Sequence, residues 1–298
     1  MHETLLQLRD KHWDVVVAPA DGGGLLKCEF DALPVLHPVA QPALVNHTSS
    51  KRQSCYFPLI PYSNRIEDSQ FHFGNVAVNL GLNVAGSPHA MHGHGWLSRW
   101  LVTARSDTDC TLSYERAADA EWPWRYLGRQ TFAIDDDTLT ISLEVVNLAA
   151  TSMPCGLGFH PFFPAAGGPR LRLQARSVWD GDVPAFPRQR VAVPERLDFS
   201  NGPSVTERTG IDHCFEHWQG RASMTYPDSM RRVVLEGCQD ADSVIVYVPA
   251  GRDFFCVEPV THAVNAMNLS DPADAGFWTL EPDMARRITM SLRCVLIG

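Results

Sequence analysis

The sequence predicts an all-β protein, a sandwich or a barrel, and three observations predict it. Its apolar runs are short and bracketed by turn residues. The longest of them alternate apolar and polar residues at period two. Long helical periodicity is nearly absent, and 21 prolines are spread through the chain. A half-buried strand shows that alternation, whereas proline interrupts a helix.

The elements follow in order. Residues 4–13 are the best candidate for a helix. Val15-Val16-Val17 runs through Asp21-Gly22-Gly23-Gly24 into Leu25-Leu26-Lys27-Cys28-Glu29-Phe30, which reads as a hairpin. Phe71-His72-Phe73 and the run from Val76 to Leu80, joined by Gly74-Asn75, read as a second. Thr131-Phe132-Ala133-Ile134 precedes Asp135-Asp136-Asp137. In the run that follows, Leu139, Ile141, Leu143 and Val145 alternate with Thr140, Ser142 and Glu144. Residues 233–236, 243–248 and 288–296 repeat the pattern. No linker, low-complexity tract or repeat divides residues 1–298, so one domain is expected.

Composition narrows the function. Hydrophobic residues at 45% and charged residues at 20% are enough to build a large core. The formal net charge of −9 repels phosphate backbones and anionic membranes, so neither nucleic acid nor a membrane is the expected partner. The N-terminal residues lack the basic-then-apolar pattern of a leader, and no stretch approaches the length of a membrane helix. The eight cysteines form no Cys-x-x-Cys pair, which fits free thiols in a reducing, cytoplasmic setting.

Five segments concentrate polar residues beside glycine, proline and aromatics. Glu258 ends the apolar run Phe254-Phe255-Cys256-Val257. It reads either as a carboxylate satisfying backbone donors or as a general base whose pKa burial raises. His160, between Phe159 and Pro161-Phe162-Phe163, reads as a core histidine or a general acid. His92 and His94 flank Gly93 and, with His89, are a conceivable metal set, although no acidic or cysteine ligand is near in sequence. Arg65, after Asn64 and between Tyr62 and Ile66, is expected to be partly buried and to need an acceptor. Asp212 beside His213 is a turn former or an acceptor for hydroxyls.

In this order the segments resemble the aldose 1-epimerase (galactose mutarotase-like) family. Asn64-Arg65-Ile66 is similar to its arginine motif, and His92-Gly93 with Trp96 close behind to its first histidine motif. His160-Pro161-Phe162-Phe163 resembles the catalytic histidine followed by aromatics, and Asp212-His213-x-Phe215 the aspartate motif. Glu258-Pro259-x-Thr261-x-Ala263-Val264-Asn265 resembles the glutamate motif. The nearest likeness is to a shorter bacterial branch with a His-Gly-His-Gly-Trp loop. His94, Trp96 and Pro161-Phe162 depart from the better-known galactose-specific members, which bears on the identity of the sugar.

The resemblance implies a large antiparallel β-sandwich, the galactose mutarotase-like supersandwich, working without metal or cofactor as a monomer or homodimer on a small-molecule sugar. It implies Glu258 as base and His160 as acid. Asn64, Arg65, His92, Trp96 and Asp212 would bind the sugar, and aromatics such as Trp96 and Phe162 would cover its apolar face. Competing readings are a non-catalytic sugar-binding protein, a hexose-phosphate 1-epimerase whose phosphate pocket adds Arg99 and Arg125 to Arg65, and a metal enzyme using His89, His92 and His94.

Overall fold

Period-two burial builds the second-largest sheet. The computed structural model describes residues 5–37, 54–181, 186–238 and 240–297. In it, Tyr126–Asp135 and Thr138–Asn147 pair antiparallel around the Asp135-Asp136-Asp137 turn. Leu139, Ile141, Leu143 and Val145 are fully buried while their neighbours are only partly so. This hairpin sits within an eight-stranded antiparallel sheet. Its spatial order is Leu101–Arg105, Asp109–Arg116, Tyr126–Asp135, Thr138–Asn147, Ala285–Leu296, Arg231–Gly237, Arg221–Tyr226 and Arg170–Leu173.

The larger sheet has eleven strands. The order is Leu6–Arg9, Trp13–Ala18, Gly24–Phe30, Tyr56–Leu59, Gly158–Pro164, Phe254–Val260, Ser243–Val248, Ile211–Glu216, Ser177–Gly181 and Pro187–Ala192, with Leu33–Pro34 beside Gly24–Phe30. Two of its middle strands, Gly158–Pro164 and Phe254–Val260, are buried on both faces almost throughout. One face of these strands meets the other sheet, and loops cover the opposite face. The expected hairpins at residues 15–30 and 71–80 are both formed.

The two sheets face one another across an aromatic core. The rings of Tyr56 and Phe132, one from each sheet, meet edge to face at 6.0 Å. The Tyr56 hydroxyl donates to Gln130 Oε1 at 2.6 Å, and Gln130 Nε2 donates to the Gly23 carbonyl at 2.8 Å. Gln130 is fully buried, so these bonds satisfy an amide that would otherwise be stranded.

The expected helix at residues 4–13 is not formed. Thr4 lies outside the described residues, Leu6–Arg9 is a strand, and Trp13 opens the next. The register explains the difference: Leu6 and Leu8 are buried opposite Val17 and Val15, while Gln7 and Arg9 point outward. Asp10 Oδ1 closes the turn by accepting from the backbone N–H groups of His12 and Trp13 at 2.8 and 2.6 Å. Among the described residues the only helical segments are short 3₁₀ turns, and no helix is long and apolar enough to cross a membrane. All eight cysteines are free, and seven are buried.

Replacing Gln130 with Leu leaves the Tyr56 hydroxyl and the Gly23 carbonyl buried without partners. The expected loss is about 1–3 kcal/mol in urea unfolding. Adding Tyr56→Phe removes one orphan and recovers part of it; a double variant no more stable than Gln130→Leu alone would contradict this account.

Candidate active site

Strand register assembles one row of side chains on the face of the large sheet that looks away from the core. Tyr56 and Phe159 turn toward the core, so their successors Phe57 and His160 turn the other way, paired across neighbouring strands. The pairing of Gly158 with Val260 and of Phe162 with Cys256 sets His160 opposite Glu258. The same row continues from Phe162 through Cys256 and Tyr247 to Asp212, each opposite the next. His160 Nε2 lies 3.4 Å from Glu258 Oε1, with 6% of the histidine and 2% of the glutamate exposed.

Two loops cover the row. The chain turns through the cis Ile60–Pro61 bond into Ser63, Asn64 and Arg65. Asn64 and His92 both have positive φ and lock their loops together: the Asn64 N–H donates to His92 Nδ1 at 3.1 Å, and the His92 N–H donates to the Asn64 carbonyl at 2.9 Å. Gly93 makes this approach feasible. Its φ is +68°, and a Cβ there would stand 2.2 Å from the Ile60 carbonyl oxygen. Arg65 Nη1 reaches Asp212 Oδ2 and Asn64 Oδ1 at 3.3 and 3.2 Å.

Aromatic rings hold the two imidazoles in place. Phe162 stacks on His160 at 4.6 Å, and Phe57 lies 4.4 Å from the same ring. His92 meets His160 edge to face at 5.2 Å. The Trp96 indole stacks on Phe57 at 5.3 Å, meets His92 edge on at 5.8 Å, and donates Nε1–H to the Gly93 carbonyl. Trp96 and Phe162 are almost wholly buried, as are His92 and His160.

Burial governs the protonation of the group. It pushes His160 down to about 3 and His92 well below the imidazole range, the latter aided by the nearby His160 and Arg65. It drives Glu258 well above the usual carboxylate range; the charge on Asp212 adds to this and Arg65 opposes it. Because Nδ1 of His92 accepts a hydrogen bond, the neutral ring carries its proton on Nε2 and can donate from there.

The structure therefore brings His160, Glu258, Arg65, Asn64, His92 and Asp212 into one neighbourhood, with Trp96 buttressing it. The His89, His92 and His94 set is not brought together. His89 Nδ1 accepts from the Asp68 N–H, His94 Nδ1 contacts the Tyr126 hydroxyl, and His92 Nδ1 is used by Asn64. Arg125 pairs with Glu115 at 2.6 Å, and Asp212 and Asn64 hold Arg65.

Sequence reading missed Phe57, Tyr247 and Cys256, which join the row only through register. It also gave no role to His262 and Asn265. The Ser63 N–H donates to His262 Nε2 at 3.1 Å, and His262 Nδ1 meets the Ala263 carbonyl at 2.7 Å. Asn265 Oδ1 accepts the Glu67 N–H at 3.0 Å. The segment after Glu258 thus fastens the loop that carries Arg65. The only sequence signal for this was the density of polar residues around Thr261 and Asn265.

The aldose 1-epimerase family model matches residues 5–293, and the chain belongs to that family. It is 30% identical over 294 residues to the Escherichia coli K12 protein YphB, itself uncharacterized, covering 95% of this chain and 96% of that one. A crystal structure from Escherichia coli K12, provisionally described as an aldose 1-epimerase, superposes with a TM-score of 0.87 at 27% identity over 99% of both chains. A galactose mutarotase-like protein from Clostridium acetobutylicum gives 0.84 at 17% identity over 98% and 95%, which is a likeness of fold.

Five histidines, His92, His94, His160, His213 and His262, have values held below 6.5 chiefly by burial. The unfolded chain takes up their protons first, so stability is lost as pH falls from about 6.5 toward these depressed values. His262, held at about 4, contributes one proton to that dependence. His262→Gln is expected to flatten the fall in the urea midpoint between pH 6.5 and 4 by about one proton's slope; an unchanged slope would contradict the assignment.

Proposed function

We propose that the protein interconverts the α and β anomers of a free, uncharged aldose, with Glu258 as general base and His160 as general acid. The observation that carries this reading is the 3.4 Å approach of the two groups from adjacent strands, buried among aromatics beneath Arg65, His92 and Asp212. Glu258 takes the proton of the anomeric hydroxyl while His160 protonates the ring oxygen. The C1–O bond of the ring breaks, the aldehyde rotates about C1–C2, and closure on the other face returns both protons.

The proton count is conserved. A neutral imidazole with a protonated glutamate holds as many protons as an imidazolium with a carboxylate. The resting pair favoured by burial therefore differs from the reactive pair by one proton moved from Glu258 to His160. Sugar hydroxyls entering the cleft bring dipoles that stabilise the charge-separated form. Arg65 is held still by Asp212 and Asn64 and keeps further N–H groups for hydroxyl oxygens. His92 donates from Nε2, and the Asp212 carboxylate accepts.

Optical rotation of fresh α-aldoses, across hexoses and pentoses, tests the reading. Glu258→Gln and His160→Asn are each expected to lower kcat by roughly 10²–10⁴-fold in folded protein. A wild-type chain no faster than buffer on every sugar would overturn the activity, and unimpaired variants would overturn the roles.

The pH profile gives a second test. A second proton enters the pair only at the depressed value of His160, so the acid limb of kcat/KM lies below pH 6.5. The alkaline limb follows loss of the single shared proton, above the usual carboxylate range because Glu258 is raised. An acid limb at or above pH 6.5 would contradict this protonation scheme.

A further inference from the structure

Cys256 takes no part in the proposed proton transfers, yet its thiol stands beside the reacting pair. It lies two residues before Glu258 on the same strand and directly opposite Phe162, so all three side chains project from one face. One donor atom each from His160, Cys256 and Glu258 lie within 4.8 Å of one another, and all three residues are buried. His160 Nδ1 and Glu258 Oε2 are also buried without a hydrogen-bond partner among the described residues.

We propose that His160, Cys256 and Glu258 form a site for a soft divalent cation of the Zn²⁺ or Cd²⁺ class, which locks the pair in an inactive state when bound. A nitrogen, a sulfur and an oxygen donor suit such an ion, whereas Mg²⁺ and Ca²⁺ select oxygen alone. A tetrahedral zinc with ligands at about 2.0–2.3 Å spaces neighbouring donors roughly 3.3–3.8 Å apart. The His160–Glu258 separation of 3.4 Å already falls in that range, and the sulfur needs to move by about an ångström at most. Three protein ligands leave a fourth position for water or a hydroxyl. The Asp212 carboxylate, close enough to raise both Glu258 and Cys256, adds negative charge behind the ion.

Binding displaces protons. The metal–sulfur bond forms as Cys256 loses its thiol proton, and the metal–oxygen bond forms as Glu258 loses its carboxyl proton; both protons go to solvent. Affinity therefore rises with pH. Metal binding is read without any sugar, so its failure is separable from failure of the anomer reading.

The test titrates the metal-free chain with Cd²⁺, following thiolate-to-metal charge-transfer absorption, and with Zn²⁺ by calorimetry in buffers of different ionisation enthalpy. The expected result is one ion per chain, a charge-transfer band, proton release, and no response to Mg²⁺. Cys256→Ala is expected to abolish the band and weaken Zn²⁺ by at least 10–100-fold, the loss typical even of groups that only support a ligand. No band in wild type, or a band surviving in Cys256→Ala from the seven other thiols, would overturn the proposal. Should Cys256→Ala fail to fold, Glu258→Gln serves: at least the same loss of Zn²⁺ affinity supports the site, and unchanged affinity overturns it.

Discussion

The antiparallel register between Gly158–Pro164 and Phe254–Val260 is the constraint on which the rest of the molecule depends. It places an imidazole and a carboxyl from distant parts of the chain directly opposite one another. Because both strands are buried on two faces, the pair is also removed from water. Desolvation then favours the neutral form of each group and leaves one proton between them. A slip of one residue in either strand would turn its member of the pair toward the other sheet and bring Phe159 or Val257 out in its place.

The loops above that register are fixed by backbone bonds made by side chains. Asn64 and His92 adopt left-handed backbone conformations that are unfavourable for most residues. Each is held by the other's peptide group or ring. His262 and Asn265 secure the same loop from the strand that carries Glu258. Arg65 is thus positioned by residues immediately downstream of Glu258, which keeps the two side chains in step.

Much of the fold was legible in the sequence because it rests on local signals. The alternation from Leu139 to Val145 and the turns at Asp21–Gly24 and Gly74-Asn75 each set a strand or hairpin by short-range chemistry. The segment from Leu6 to Trp13 misled because two leucines two apart suit either a weak helix or a short strand. Only pairing with Val15 and Val17 decides between them. At the site, His160 and Glu258 stood out as polar residues in apolar runs. Phe57, Tyr247 and Cys256 did not, since nothing local distinguishes an aromatic or thiol on this face of the sheet from one turned to the core. Their place follows from strand order, which is a long-range property.

Tyr56 and Phe57 show what such economy entails. Adjacent residues of one strand serve opposite duties: the tyrosine anchors the facing sheet through Gln130, while the phenylalanine packs against the His160 imidazole. No intermediate layer insulates the two. A change of bulk in the interior would travel a single peptide unit to reach the chemistry. Variation in the covering loops, by contrast, leaves the partition between the sheets undisturbed.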